Sequence, residues 1–471
     1  MPAFGRARSF DEMVARFGAR YKWLALLSVG LGVVAAVLST TSFNVAIPAL
    51  TRHFGLGQER VQWAITGYMG AMTVAMLPTP WLLDRFGFRR CFLGAVLVLT
   101  ATSIAGSQAS QFAMVVAIRI VQGAAAGILQ PLGTLAVMRL FPVESQGRAS
   151  GVLGFGIVLA PAVAPTLGGL LLDHFGWQSI FLINLPFCLL AIGVGLYLLP
   201  APREIKIRHF DWFGVGVLAL GTLSMIEGVS SLQHAGPFAP WTLAHWGLAL
   251  LSIAVFVWHG RRAAAPIVSL GLFRDRAFAM GTLVFLAYGF GLYASTYIIP
   301  VFLQSALGFS ATSAGLALLP SGIALAVSIP IAGRLTDRHS PRGVTLAGLA
   351  LFGISFLLFA FFSSHITYAE IIANTVIGRI GLALILPALS LAALRGMAME
   401  QLGQASMVTS YVRQLGGVLG VAISAVFLEW RESVHGATAP GIFTAFAESF
   451  LMLAAAFALA LVAAWRMKHR G

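Results

Sequence analysis

The segment LLDRFGFRR at residues 82–90 recurs in altered form as RLTDRHSPRG at residues 334–343. Each copy follows a long apolar segment. The repeat predicts two parallel halves built on one plan, which is how membrane proteins form two helical bundles about a midplane site. An aspartate, the arginine after it and a further arginine hold the same places in both copies: Asp84, Arg85 and Arg89 in the first, and Asp337, Arg338 and Arg342 in the second.

The composition places this repeat in a lipid bilayer. Of 471 residues, 58% are hydrophobic and only 10% are charged, whereas soluble domains carry about 25% charged residues. The 30 lysines and arginines outnumber the 16 acidic residues, but they are scattered through short loops, which argues against a nucleic-acid partner. Cys91 and Cys188 are too few for a disulfide or zinc framework, and no metal or cofactor is expected.

Apolar segments long enough to cross a bilayer, at about 20 residues each, predict an all-α integral membrane protein with fourteen transmembrane helices. We expect an N-terminal segment 1–22, a six-helix bundle 23–199, a linker with two additional helices 200–260, and a second six-helix bundle 261–471. The segments lie at 23–48, 60–82, 91–109, 111–138, 149–172, 177–199, 212–233, 242–259, 277–303, 312–333, 343–363, 366–394, 403–428 and 442–465.

Loop charges orient these segments. With the N-terminus inside, nearly all of the 30 basic residues fall in inner loops and tails, and only Arg52, Arg60 and Arg431 fall outside. Cytoplasmic loops of membrane proteins carry this excess of lysine and arginine. The sequence therefore predicts that both termini are cytoplasmic.

We expect no cleavable signal in the N-terminal segment, because the apolar run after it is too long and lacks a small-residue cleavage site. Ser9 and Glu12 have the spacing of a capping box, and Phe10, Met13, Val14 and Phe17 share one helical face. This pattern predicts a short helix lying on the membrane surface. A disordered tail is the alternative.

Taken in order along the chain, several stretches resemble one family over nearly the whole length. The sequence resembles the major facilitator superfamily, specifically its fourteen-helix drug:proton antiporter group of the EmrB/QacA type. The stretches are LSTTSFNVAIP (38–48), WLLDRFGFRR (81–90), RIVQGAAAG (119–127), APAVAPTLGG (160–169), PIVSLGLFRDRAF (266–278) and WRESVHG (430–436).

The resemblance implies a conformational latch at the repeated loops, in which the carboxylates accept bonds from a neighbouring helix N-terminus and the guanidiniums bridge the two bundles. Positive-inside anchoring of the arginines is the alternative. Pro80 stands where the family has glycine, whereas Gly333 keeps that glycine, so the first contact is expected to be looser. The implied latch residues are Asp84, Arg85, Gly87, Arg89, Asp337, Arg338 and Arg342.

The fifth helix resembles the antiporter helix of the family. Its small residues recur every four positions and form one smooth stripe on which another helix can pack closely, and its prolines remove backbone donors. The resemblance implies a hinge and seal found in exporters, and ordinary tight packing is the alternative. The hinge residues are Gly156, Ala160, Ala164, Pro165, Gly168 and Gly169.

Arg119, Arg379 and Arg413 fall within apolar segments, where a charge is costly and normally faces a cavity or a partner. Neutralisation by backbone carbonyls is the alternative. Arg119 and Glu227 are the proton-coupling candidates, and an outer-interface position is the alternative for Glu227. The substrate-path candidates are Ser39, Thr40, Asn44, Gln62, Trp63, Arg119, Gln122, Tyr293, Tyr297, Gln304, Arg379 and Arg413.

The polar patch in helix 1 departs from the family pattern. Ser39 stands where the family has an aspartate, while Thr40, Asn44 and Pro48 are retained. The patch either lines the translocation path, with Arg119 as its neighbour, or satisfies local carbonyls near Pro48. Without a carboxylate, proton coupling cannot run through helix 1 as the family implies.

The sequence as a whole predicts a secondary active exporter of amphipathic small molecules, of the multidrug efflux type, in the inner membrane of a bacterium. The resemblance implies proton-coupled antiport by alternating access, and the arginines favour hydrophobic weak acids or neutral amphiphiles over cations. A periplasmic adaptor with an outer-membrane channel is a further implied partner. The alternative is a lipid or lysolipid exporter on the same fold; an enzyme is not favoured, because no interfacial cluster of His, Asp or Cys occurs.

Overall fold

The computed structural model describes residues 10–56, 58–200, 209–362, 366–436 and 438–467, and the regular elements within them are all helices. A 3₁₀ segment, Phe43–Ala46, connects α2 to α3, and a second, Trp177–Leu182, precedes α8. The α-helices are α1 Phe10–Phe17, α2 Tyr21–Ser42, α3 Ile47–Phe54, α4 Gln58–Ala75, α5 Thr79–Gly106, α6 Phe112–Leu140, α7 Gln146–Phe175, α8 Leu185–Leu198, α9 Trp212–Ala235, α10 Pro240–Gly260, α11 Arg276–Ser305, α12 Ala311–Arg338, α13 Pro341–Ala360, α14 Tyr368–Leu394, α15 Met399–His435 and α16 Ala439–Trp465.

Twelve helices in this part of the chain are long and apolar enough to cross a membrane. The expected count of fourteen is not reached by these criteria, because α4 and α7 are not among the twelve. The α4 helix begins with the polar run QERVQ, and several residues in the middle of α7 have side chains outside the described part of the chain. Both nevertheless pack against the apolar helices of the bundle, α4 along α6 and α7 along α2.

The first span is shorter than the predicted 23–48, because α2 ends at Ser42 and the chain continues as a 3₁₀ segment. The Thr40, Thr41 and Ser42 hydroxyls each donate to the carbonyl four residues earlier, at 3.0, 3.0 and 2.7 Å. Hydroxyls that bond in this way bend helices. Pro48 then lies in the first turn of α3, where its missing N–H costs nothing.

The first copy of the repeated loop is more helical than its sequence suggests. A turn at residues 76–78 separates α4 from α5, and α5 runs through the loop with one break at Gly87, where φ is 79° and ψ is 162°. A side chain at this left-handed φ would be strained, so Gly87 permits the turn between two spans. In the second copy the chain breaks between α12 and α13, after Arg338.

The packing repeats in the two parts of the chain. In the first part α2 packs on α7, α4 on α6 and α5 on α8. In the second part α11 packs on α15, α12 on α14 and α13 on α16, which is the same order of first on fifth, second on fourth and third on sixth helix. We call the helices α2–α8 the first set and α11–α16 the second set.

The additional pair, α9 and α10, forms a hairpin beside these two sets. The α9 helix contacts α4 of the first set and α15 of the second, where the Thr222 and Tyr411 hydroxyls share a hydrogen bond. The α10 helix packs along α9. At the base of the hairpin, the Asp211 carboxylate accepts from Gly214 N at 2.8 Å, Ile267 N at 3.0 Å and His259 Nε2 at 2.8 Å.

The apolar face of the N-terminal helix α1 packs against the rest of the protein. Met13 is buried in the main core, and Val14 and Phe17 pack against that core. The Phe17 ring meets the edge of Tyr197 in α8. Ser9, the predicted cap of this helix, lies outside the described residues.

Candidate functional site

The polar patch predicted in the first span lies at the end of α2, beside the guanidinium of Arg119. Arg119 Nη1 donates to the Ser39 carbonyl at 2.9 Å and to Ser39 Oγ at 3.2 Å, and Arg119 Nε donates to the Ala64 carbonyl at 3.2 Å. The residue is only 1% exposed. The sequence leaves two possibilities for Arg119: a place beside this patch, or neutralisation by backbone carbonyls. Both hold, because the carbonyl of Ser39 belongs to the patch.

Two aromatic rings complete this site. The Arg119 Cζ atom lies 4.4 Å from the centroid of Phe43 and 3.9 Å from that of Tyr68, distances typical of cation–π contacts. The Tyr68 hydroxyl donates to the Ala36 carbonyl at 3.0 Å and lies 3.0 Å from the Thr40 hydroxyl. Among the described ion pairs none involves Arg119, so its charge is met by neutral acceptors and by ring faces.

A chain of polar side chains leads away from Arg119. Arg119 Nη1 donates to Gln122 Oε1 at 3.2 Å, Gln122 Nε2 donates to Ser103 Oγ at 3.0 Å, and Ser103 Oγ donates to Asn184 Oδ1 at 3.0 Å. All four residues are buried. Sequence reasoning named Arg119 and Gln122 but missed Ser103, Asn184 and Tyr68, whose only signal was a polar group inside an apolar run.

A partly open cleft lies between the two sets of helices. Helices α6 and α7 form one wall, and α11, α14 and α15 form the other. Arg413 lines it, and its Nη2 donates to Gln130 Oε1 of the facing wall at 3.1 Å. Hydroxyls surround this pair, and the described residues that line the cleft include no acid; the hydroxyl residues are Thr134, Ser150, Ser390, Thr409 and Ser410.

Arg379 lies at a depth similar to that of Arg413. Counted along α14 and α15 at 1.5 Å per residue, both are roughly 20 Å from the helix ends near Arg395 and Met399. Tyr288 of α11 lies within electrostatic reach of both guanidiniums, and Tyr293 within reach of Arg413. The second set of helices thus holds two arginines and two tyrosines at one level.

The other path candidates are more dispersed. Trp63 is 52% exposed, and Gln304, also exposed, donates to its own helix at the Pro300 carbonyl. Tyr297 is half-buried and lies within electrostatic reach of Glu429 and Glu432 near the end of α15. The side chains of Asn44 and Gln62 lie outside the part of the chain that the structure describes.

Glu227 lies away from the cleft. It is half-buried on α9, one turn after Leu223 and two turns after Leu220, and these two leucines are each 47% exposed. Leu223 and Ile226 both lie against Gly70 of α4, and Gly228 meets Trp246 of α10. Glu227 therefore lies on a different part of the bundle from Arg413 and the cleft.

The second copy of the repeated loop joins the two sets of helices. Asp337 Oδ1 accepts from Gly147 N at 2.6 Å and Asp337 Oδ2 accepts from Arg148 N at 2.8 Å, so this carboxylate caps the N-terminus of α7. A Cβ atom on Gly147 would lie 2.4 Å from the Gly333 carbonyl oxygen, so the two backbones touch. We call the end of the bundle that carries Asp84, Arg148, Asp337 and Arg395 the basic end.

The first copy makes a looser contact. Pro80 occupies the place of Gly333, and a Cβ atom on Gly403 of α15 would still lie 3.9 Å from it. Asp84 is half-buried, Arg85 and Arg338 are exposed, and Arg139 of α6 lies within electrostatic reach of Asp84. The difference between the two copies follows the direction expected from proline in place of glycine.

Two latch arginines have partners other than those expected. Arg89 donates to the Leu196 carbonyl at 2.7 Å, and Arg342 donates to the Trp465 carbonyl. Each guanidinium therefore binds the last turn of the sixth helix of its own set, where a cation meets unsatisfied carbonyls. This corrects the expectation that these arginines bridge the two bundles. Arg395, which sequence reasoning did not name, does bridge them, donating to the Val143 carbonyl at 2.8 Å.

The small-residue stripe predicted on α7 faces α2 of its own set and not the second set of helices. Gly156 lies against Val34, and Ala160 and Ala164 pack with Val37 and Leu38 of α2. Gly168 is buried, Gly169 is half-buried with open space beside it, and the Pro165 side chain lies outside the described part. The face of α7 toward α12 is instead formed by three other glycines: Gly147, Gly151 and Gly154.

Comparison with known proteins agrees with this architecture. The profile of the Major Facilitator Superfamily matches residues 29–421 and 281–470. The multidrug resistance protein B homolog of Mycobacterium tuberculosis is 32% identical over 415 residues, covering 86% of this chain and 76% of that protein. The multidrug resistance protein Stp of the same species is 31% identical, covering 87% and 77%. The tetracenomycin C resistance and export protein of Streptomyces glaucescens is 29% identical, covering 87% and 76%.

Two solved structures have a similar fold. The human organic anion transporter MFSD10 superposes with a TM-score of 0.63 at 16% identity, covering 93% of this chain and 99% of that chain. The proton:xylose symporter XylE superposes with a TM-score of 0.68 at 14% identity, covering 95% and 96%.

Proposed function

We propose that this chain, which belongs to the Major Facilitator Superfamily, exports amphipathic small molecules by alternating access. At the level of the family it is a multi-pass membrane transporter related to drug-efflux proteins. The observation that carries the proposal is the cleft between the two sets of helices together with the closed contact of Asp337 and α7 at the basic end. A cleft closed at one end is what one state of an alternating-access transporter requires.

We further infer fourteen membrane spans of the EmrB/QacA type, with α4 and α7 added to the twelve apolar helices. Their packing along α6 and α2 supports this count, because a helix at that position lies as deep as its neighbours. The mirrored packing supports two six-helix bundles, 23–199 and 261–471, with the additional pair in the linker. The concentration of basic residues at one end supports cytoplasmic termini in a bacterial inner membrane.

The driving force in this proposal is the proton gradient, acting through a group other than a helix 1 carboxylate. Ser39 cannot carry a proton at the place of the family aspartate, and the Arg119 guanidinium stays charged, so it can respond to charge but not exchange a proton. Glu227 can exchange one. Replacing Glu227→Gln tests it directly: loss of export driven by a pH gradient supports the assignment, and unchanged export overturns it.

The preferred substrates in this proposal are hydrophobic weak acids or neutral amphiphiles. Arg379 and Arg413 place two positive charges at one level of the second set, and no acid is among the described residues that line the cleft. A cationic drug would meet repulsion there without a counter-charge. The periplasmic adaptor and outer-membrane channel implied by the family stay proposals, with the connection at 429–441 offering little surface for docking.

Transport in inverted membrane vesicles tests the function as a whole. Vesicles that contain the chain should accumulate a hydrophobic weak acid when a pH gradient is imposed, and vesicles without it should not. Accumulation only in right-side-out vesicles would indicate import and would overturn the proposal. Collapse of the gradient with an uncoupler separates driven transport from simple partitioning into lipid.

A further inference from the structure

Arg413 differs from Arg119 in what its charge faces. Arg119 is 1% exposed, donates to Ser39, Ala64 and Gln122, and lies between two rings. Arg413 is half-buried, makes one described side-chain hydrogen bond, to Gln130, and lines the cleft. Its remaining donors therefore face the cleft, where a ligand can reach them.

Hydroxyl groups from both walls lie around the same space. Thr134 of α6, Ser150 of α7 and Ser410 of α15 line the cleft, and no described residue hydrogen-bonds to these three hydroxyls. The Ser390 and Thr409 hydroxyls, by contrast, donate to carbonyls of their own helices. Hydroxyls without a described partner and a guanidinium form a set of donors suited to a carboxylate, which accepts several hydrogen bonds at once.

Apolar side chains continue the cleft beside these donors. Leu153 and Ile157 of α7 lie on one wall, and Phe285 of α11 and Leu386 of α14 lie on the other. Such a surface takes an aromatic or aliphatic body, while the donors fix the orientation of the head group. The arrangement is therefore amphipathic in the same sense as the proposed substrates.

We propose that Arg413, with Ser150 and Ser410, binds the carboxylate head group of the exported amphiphile. This inference rests on the proposed export function and assigns the head group to one place in the cleft. A carboxylate is a better acceptor for a guanidinium than the amide oxygen of Gln130, so it takes that place when it binds. Because Ser150 and Arg413 belong to opposite walls, the bound head group contacts both sets of helices.

Binding of three naphthalene compounds to the purified full chain in an uncharged detergent tests the site. The compounds are 1-naphthaleneacetate, its primary amide and 1-naphthylmethylammonium, which share one ring system and differ in charge. Equilibrium dialysis should show the acetate bound at least about tenfold more tightly than the amide, the size expected for a hydrogen bond to a charged group. The ammonium compound should bind more weakly than either.

Arg413→Gln should remove the preference for the acetate over the amide and leave amide binding within about twofold. Arg413→Lys should keep part of the preference, since it retains the charge and loses the planar donor set. The Ser150→Ala and Ser410→Ala double variant should lower acetate affinity about three- to tenfold without changing amide affinity. Arg274→Gln, which removes an exposed arginine outside the cleft, is the matched control and should behave as wild type.

Two results would overturn the inference: equal binding of acetate and amide by the wild type, or a preference that survives in Arg413→Gln. Thermal unfolding and gel filtration show which variants are folded, and the serine double variant serves if Arg413→Gln does not fold. If export is intact but does not distinguish the acetate from the amide, the head-group site is rejected and the proposed function stands. Absence of export, with charge-selective binding, rejects the function and keeps the site.

Discussion

Asp337 of α12 and Gly147 of α7 are joined across the two sets of helices by a hydrogen bond of 2.6 Å. The same carboxylate accepts from Arg148 N, and the Gly147 and Gly333 backbones touch beside it. A carboxylate at a helix N-terminus is stabilised by the free N–H groups and by the helix dipole. Closure at the basic end therefore depends on one acid and on the absence of side chains at two glycines.

Gly147→Ala should impair closure. The added Cβ would lie 2.4 Å from the Gly333 carbonyl and 2.5 Å from Asp337 Oδ1, so the two helices must separate. We expect export in vesicles to fall at least about tenfold, equivalent to about 1.4 kcal/mol against the closed state. Gly94→Ala is the matched control, because a Cβ there meets nothing within 4 Å in the middle of α5. Equal activity of the two variants would contradict the role of this contact.

Ser39→Asp should stabilise the protein at neutral pH. Among the described side chains, Arg119 is buried with neutral acceptors only, and its Nη2 atom has no hydrogen-bond partner there. A carboxylate at position 39 supplies the missing counter-charge, and a buried charge gains most from a paired and hydrogen-bonded partner. We expect the midpoint of thermal unfolding to rise for Ser39→Asp.

Ser39→Asn provides the control for size, since asparagine has the shape of aspartate without its charge. It should not raise the midpoint. If both variants destabilise the protein equally, then the site does not accept a side chain of this size and the charge argument fails. A pH dependence of export in Ser39→Asp that the wild type lacks would place position 39 on the coupling path, and an unchanged profile would exclude it.

Acid should loosen the base of the α9–α10 hairpin at Asp211. Burial alone raises the pKa of this carboxyl, but hydrogen bonds from Gly214 N, Ile267 N and the His259 ring outweigh burial and hold the pKa below its ordinary value. For a depressed acid, the added stability is fully present above the unfolded-state pKa, about 3.9, and is lost as pH falls through the lower folded-state pKa.

The measurement is hydrogen exchange of the segment 209–215 and of the linker around Ile267 between pH 5 and pH 3. Protection from Asp211 should be constant near pH 5 and decline below about pH 4. Asp211→Asn should show lower protection at pH 5 and little further loss on acidification. A decline of equal size in Asp211→Asn would show that another group titrates.

Much of this fold follows from hydropathy and from the repeat of Asp84 at Asp337, because lipid requires long apolar helices. The break after Ser42 does not follow from hydropathy, because a hydropathy value carries no information on hydroxyls that bond to the preceding turn of their helix. The orientation of α7 is also hidden. At 100° per residue, Gly147 and Gly156 lie on opposite faces, so both faces carry small residues and the sequence alone does not say which one meets α12.

The site was predictable only where a residue type is rare. Arg119, Arg379 and Arg413 stand out because a charge within an apolar run is costly. Their different surroundings do not stand out, since the partners Ala64 and Gln130 come from other helices. The direction of Arg89 toward Leu196 likewise depends on how α5 packs on α8, and a repeated motif does not encode its partner.

Export of an anion should respond to the membrane potential as well as to pH. Moving one negative charge outward, from a negative interior, gains about 2.3 kcal/mol per 100 mV. If one proton enters for each anion that leaves, two charges move in each cycle, and the gain doubles.

The proposed antiport therefore predicts that the reversal potential of 1-naphthaleneacetate transport in proteoliposomes shifts with the pH gradient at a fixed anion gradient. Valinomycin and potassium gradients set the potential, and Arg274→Gln again serves as the control. A reversal potential that depends on the anion gradient alone would mean that the membrane potential drives export without protons. The absence of an acid at position 39 would then explain that result.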